Sequence, residues 1–221
     1  MSVINSFYRR LIKSPLGLQE RSTIAECLAS CARDEKPSEW SSIQERRQLY
    51  EKPLAILNKH GYLPISLQNP DALISEISAL SASQGHNTNS SCFAKEIEYL
   101  NGVVDLPSVK SLMTDTSFHD LVSLYLNAPA NLYNVLAWWQ YPMGDSHIPS
   151  NAQKWHRDRD DFSLLKLFFY CTDVDADSGP HAFLPESHNW LNSSHLFPAI
   201  SPQSDLVTDS EHKFYSDSEL K

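Results

Sequence analysis

Residues 155–161, WHRDRDD, run through Phe162 into SLLKLFFYCTDVD at residues 163–175, and the reading of this stretch decides what fold the chain can have. Its second part is rich in aromatic residues and reads as a strand. On an extended strand, side chains two apart share a face, so His156 and Asp158 present an imidazole and a carboxylate side by side while Arg157 points away. A mononuclear non-haem iron centre uses two histidines and one carboxylate on one face of the metal, leaving the opposite positions open. His156 and Asp158 are candidates for two of those ligands. The alternative is a surface pair engaged with Arg157 or Arg159.

Working outward, the chain changes texture near Pro129. After it come NLYNVLAWWQY, KWHRD, LLKLFFYCTDV and HAFLP, aromatic-rich runs separated by Pro, Gly, Ser and Asp clusters. They predict short strands, arranged as a sandwich or small barrel. Before Pro129 helices dominate. Residues 17–60 read as two or three helical pieces, interrupted at Arg33–Ser38 with its Pro37 and ending near Gly61. A strand is expected at Tyr62–Leu67. Then Asn69 can cap a helix, Pro70 suits its first turn, and Leu73, Ile74, Ile77 and Leu80 fall on one face. Ser117, with Asp120 three residues on, looks like a capping box opening a helix through Leu126 that Asn127 and Pro129 close. The expected domains are a helical region over residues 1–60 and a β domain over 61–221.

Composition narrows the function. The chain has 221 residues and a formal net charge of −9, against the basic patches that nucleic acid or an anionic membrane surface would select. No stretch reads as a signal peptide or a bilayer span, and the four cysteines form no Cys-x-x-Cys pair, so a reduced cytoplasm and a small-molecule partner are expected. Cys27 and Cys31 sit four apart and read as ordinary buried thiols. The final residues, SPQSDLVTDSEHKFYSDSELK, are polar and acidic, without a strand signal. His-Arg-Asp also occurs in protein kinases, but the position where they place Asn is Ser163 here, and no Gly-rich loop or Asp-Phe-Gly is present. Asp173, Asp175 and Asp177 lack the glycine and glutamate that complete a calcium loop and read as a turn.

Together, LVSLYLNAPANLYNVLAWWQYP, WHRDRDDFSLLK, LFFYCTDVDADSGP and HAFLPESH, in that order between about Leu121 and Trp190, resemble the phytanoyl-CoA dioxygenase family of Fe(II)- and 2-oxoglutarate-dependent oxygenases. HAFLPESH is similar to the family's Pro-Gly-Ser-His element, with Glu186 in the glycine's place. ILNKHGYLPISL resembles its leading helix and first strand, at Leu57–Leu67. The resemblance implies an α+β fold: a double-stranded β-helix (jelly roll, cupin-like) with N-terminal helices packed outside it. It also implies iron held by His156, Asp158 and a distal histidine, and an arginine soon after that histidine to bind the far carboxylate of 2-oxoglutarate. Molecular oxygen and a small-molecule substrate would be the other reactants.

The sequence departs from the family at its end. It stops at Lys221, where the family's last strands, with that histidine and arginine, are still to come. Family spacing favours none of His181, His188 and His195, and His212 lacks the Gly-rich turn and apolar strand that would aim an imidazole into a barrel. A truncated or non-catalytic jelly-roll remnant, acting as a binding module, is therefore the alternative to an active enzyme. Within the barrel, Leu164, Lys166, Phe168, Tyr170 and Thr172 share one face, and Leu165, Leu167, Phe169 and Cys171 the other. The first set either lines the lumen, with Lys166 and Tyr170 near the co-substrate carboxylates, or leaves Lys166 in solvent. Gln140 and Gln153 are further candidates for that pocket, and Trp138, Trp139 and Trp155 for its wall or the core.

Overall fold

The computed structural model describes residue 12 and residues 18–85, 97–141, 158, 160–175, 180, 181, 183 and 185–188. His156, Gln153 and Trp155 lie outside the described residues.

Local chemistry accounts for the helices. Helix α1 (Leu18–Glu35) carries Glu20 in its first turn and Arg33 in its last, each complementing the helix dipole. Pro37 lacks an N–H, so the helix stops before it and α2 (Pro37–Glu45) starts on it. A 3-10 turn at Arg47–Tyr50 leads into α3 (Glu51–His60), which Gly61 ends in the left-handed conformation, φ 79°, donating its N–H to Leu57 O at 2.8 Å. In α4 (Pro70–Ser83) Pro70 occupies the first turn as expected, while Asn69 precedes the helix without a side-chain cap bond. Leu73 and Ile77 are buried, and Ile74 stays 36% exposed, so the buried stripe is narrower than the apolar pattern. Each fully buried side chain of this kind stabilises the fold by about 1.5–3 kcal/mol.

After strand β1 (Ile97–Tyr99) come a 3-10 turn at Val103–Asp105 and α5 (Pro107–Met113), an element the sequence reading passed over. Helix α6 (Thr116–Leu126) is closed by Asn127 in the left-handed region, φ 56°, as expected. Its cap is a correction. Asp115, not Ser117, occupies the N-cap, and its carboxylate accepts the Ser117 N–H at 2.8 Å. Asp120 is no capping acid but a 2% exposed carboxylate gripped by Arg46, Nε–Oδ2 2.6 Å and Nη2–Oδ1 2.8 Å. Arg46 also donates to Ser42 Oγ at 2.8 Å, so this two-pronged bond ties the end of α2 to the middle of α6. Cys27 and Cys31, expected buried, are exposed on α1.

Strand β2 (Trp138–Gln140) pairs antiparallel with β1 in the register Ile97↔Gln140, Glu98↔Trp139, Tyr99↔Trp138, and Leu100 N–H to Ala137 O at 2.9 Å extends the ladder. This is the only sheet among the described residues. Tyr62–Leu67 forms no strand, consistent with Pro64 removing a ladder donor, and neither do residues 164–175. A jelly roll is thus not among the elements described. No helix among the described residues is long and apolar enough to cross a membrane.

Two apolar cores organise the chain. Ile43, Leu54, Leu57, Leu121 and Leu124 form the first, with Leu63 and Leu165 packed on it. Leu73, Ile77, Leu100, Val103 and Val109 form the second, with Trp139, Phe169 and Cys171 against it. The alternation read in residues 164–172 survives without a ladder. Leu165, Phe169 and Cys171 pack inward, while Lys166, Phe168 and Tyr170 are exposed; Leu167, 40% exposed, and Leu164, half-buried, are the exceptions on the two sets.

Candidate functional site

Asp158 and Lys166 come together. Lys166 Nζ lies 2.8 Å from Asp158 Oδ2 and 3.2 Å from Asp160 Oδ2. Backbone placement explains why the ammonium is held here: Leu165 is fixed on the first core, which turns its neighbour Lys166 outward toward the two aspartates. Burial of Lys166 works to lower its pKa, but hydrogen bonds and charge attraction from Asp158 and then Asp160 outweigh it and hold the ammonium above lysine's ordinary value. Asp160 was not singled out from the sequence. The signal was there, since it lies two residues beyond Asp158 and shares its strand parity.

Two part-exposed carboxylates converge on the Lys166 ammonium, which by itself is an ion pair. Among the described residues no group of three His, Cys, Asp or Glu side chains is placed to hold a metal. His156, the other candidate ligand, lies outside them.

Two residues on from the lysine, Phe168 joins an aromatic row. Phe168 meets the His181 ring at 4.5 Å between centroids and Trp138 edge-on at 6.5 Å. His181 continues to Phe183 at 4.9 Å, and Phe183 stacks on Tyr62 at 5.7 Å. The Tyr170 hydroxyl accepts the His181 backbone N–H at 2.8 Å, which fixes the oxygen while leaving its own proton available to an acceptor. Gln140, at the end of β2, is exposed. The His181 ring and backbone link Phe168, Phe183 and Tyr170.

The segment that resembles the Pro-Gly-Ser-His element docks on the end of α3. Glu186 donates its N–H to His60 O at 3.1 Å, and the His188 imidazole bonds Asn58 O through Nε2 at 3.1 Å. The other ring nitrogen, Nδ1, faces Gly61 and is buried without a partner among the described residues. Glu186 has φ 66°, in the left-handed region that glycine adopts without penalty. A glycine at residue 186 would hold this backbone without that penalty.

No family model, no curated protein and no solved structure matches this chain.

Proposed function

We propose that the chain is built as an Fe(II)- and 2-oxoglutarate-dependent dioxygenase of the phytanoyl-CoA dioxygenase type, acting on a small molecule. The observation that carries this reading is Asp158, the carboxylate of the motif, turned onto a positive charge beside a second aspartate. The left-handed backbone at Glu186 supports it independently, because the family pattern calls for glycine there. Under this reading the scaffold is a double-stranded β-helix with its helices outside.

His156 and Asp158 would hold the metal, which when bound supplies oxygen activation coupled to decarboxylation of 2-oxoglutarate and hydroxylation of a C–H bond. The chain's own contribution is placement. Lys166 offers a charge to an anionic co-substrate, and Tyr170 offers the hydroxyl proton that its bond from His181 leaves unused. Gln140 and Gln153 are hydrogen-bonding groups for the same ligand. Trp138, Phe168 and Phe183 give an apolar wall along which a substrate can lie. A cytoplasmic setting belongs to this reading, in keeping with four cysteines that form no Cys-x-x-Cys pair.

A second reading has its own observation. Lys166 pairs with Asp158 and Asp160, a contact that a non-catalytic relative keeping the scaffold as a binding module would also make. Anaerobic Fe(II) titration of the full chain, with and without 2-oxoglutarate, separates the two. The enzyme reading expects stoichiometric binding that His156→Ala and Asp158→Ala abolish, together with iron-dependent succinate formation that Asp158→Ala removes. Absence of metal binding by the unsubstituted protein leaves only the binding module.

A further inference from the structure

We propose that Cys27 and Cys31 of α1 form a dithiol site for a trivalent arsenical, a ligand whose arsenic already carries one organic group and takes two thiolates. The inference is independent of the dioxygenase-type reading above. Both cysteines are free and exposed, four residues apart in one unbroken helix, Leu18–Glu35. At about 3.6 residues per turn their side chains point within about 40° of each other, one above the other on the same face. Other faces anchor the helix. Arg21 is buried with its guanidinium 4.9 Å from the centre of the Phe162 ring, and Arg33 donates to Asn127 O. A ligand on the thiol face therefore displaces neither contact.

Spacing selects the chemistry. Side chains four apart on a helix have Cβ atoms about 5–6 Å apart, whereas a disulfide needs about 3.5–4.5 Å, so the pair closes on itself only if the turn deforms. A bridging atom bound to both sulfurs, at about the 2.3 Å that a thiolate keeps from a soft or borderline centre, adds a second bond to the span and fits the turn as it stands. In the reaction an organoarsenic(III) oxide loses its oxygen as water, two S–H bonds break and two As–S bonds form. Arsenic stays trivalent and no oxidant is consumed. The second sulfur binds in an intramolecular step, which holds the arsenical against free monothiols.

Phenylarsine oxide added to the full chain tests this, with the bound group read by intact mass after a wash with excess 2-mercaptoethanol, in the unsubstituted protein, Cys27→Ser and Cys31→Ser. One phenylarsenic group per chain is expected to survive the wash and to leave with 1,2-ethanedithiol, the far-UV circular dichroism staying unchanged throughout. Each serine variant should hold the group about tenfold less tightly or worse, because a single thiolate has no intramolecular advantage over the monothiol. Cys27→Ala and Cys31→Ala repeat the comparison should a serine variant fail to melt cooperatively. Cys92 and Cys171 remain in every variant, so a chelate formed elsewhere would persist in both and overturn the proposal. Failure of the unsubstituted protein to retain the group overturns it too. So does a loss of helical signal on binding, since the intact turn would then not be the site.

Discussion

The His188 ring occupies the space beside Gly61: a Cβ added at residue 61 would collide with Nδ1 and come within 2.7 Å of Cγ. The contact joins residues far apart in the chain, and Glu186 N–H to His60 O reinforces it. Gly61→Ala would meet both this clash and the penalty of a left-handed backbone, φ 79°. The expected cost is about 2 kcal/mol. Against a His188→Ala background that cost should fall by about 1 kcal/mol, measured as coupling in a denaturant double-mutant cycle. Strict additivity would show that the ring does not sit there.

Glu186 offers the opposite sign. Its φ of 66° places an L-residue where glycine is preferred, so Glu186→Gly is expected to stabilise the protein by about 1 kcal/mol despite the greater freedom it gives the unfolded chain. Chemical denaturation midpoints check this. A loss of stability would mean that the backbone at this position is not left-handed in solution.

Asp115 makes a pH-dependent contribution. The Ser117 hydroxyl bonds its carboxylate at 2.5 Å and holds its pKa below the ordinary aspartate value; burial opposes this, and the N–H groups of Ser117 and Phe118 add to the lowering. A depressed folded pKa stabilises fully above the unfolded value and is lost as pH falls through the folded one. Asp115→Ala should cost about 1 kcal/mol at neutral pH. The gap between the two proteins should close below about pH 4. Thermal melts across that range decide it.

Tyr170 tests the proposed co-substrate role. With its oxygen already accepting from His181 N–H, the phenol is oriented to donate. In an assay with Fe(II) and 2-oxoglutarate, Tyr170→Phe is expected to raise KM for 2-oxoglutarate roughly tenfold with little change in kcat. An unchanged KM would remove Tyr170 from co-substrate binding.

Local signals were the legible ones. Pro37, Pro70, Gly61 and Asn127 mark helix ends through backbone geometry that a single residue dictates, and each stands where the pattern placed it. Asp120 was misread because Ser117 and Asp120 have capping-box spacing, whereas the partner that claims the carboxylate, Arg46, is distant in sequence and close only after folding. The strands expected at Tyr62–Leu67 and in residues 164–175 are not formed: apolar residues such as Leu63, Leu67, Leu165 and Phe169 are half-buried there, which packing on the two cores satisfies as well as a ladder does. At the site, the parity of Asp158, Lys166 and Tyr170 was readable, but the ion pair between the first two was not, since periodicity fixes a face and not a partner.

Leu165 belongs to one core and Phe169 and Cys171 to the other. A few residues of irregular chain therefore act as a mechanical seam through which loosening on either side is felt on the other. Heating should melt the two halves in one calorimetric transition, and Phe169→Ala, by cutting the seam, should separate it into two.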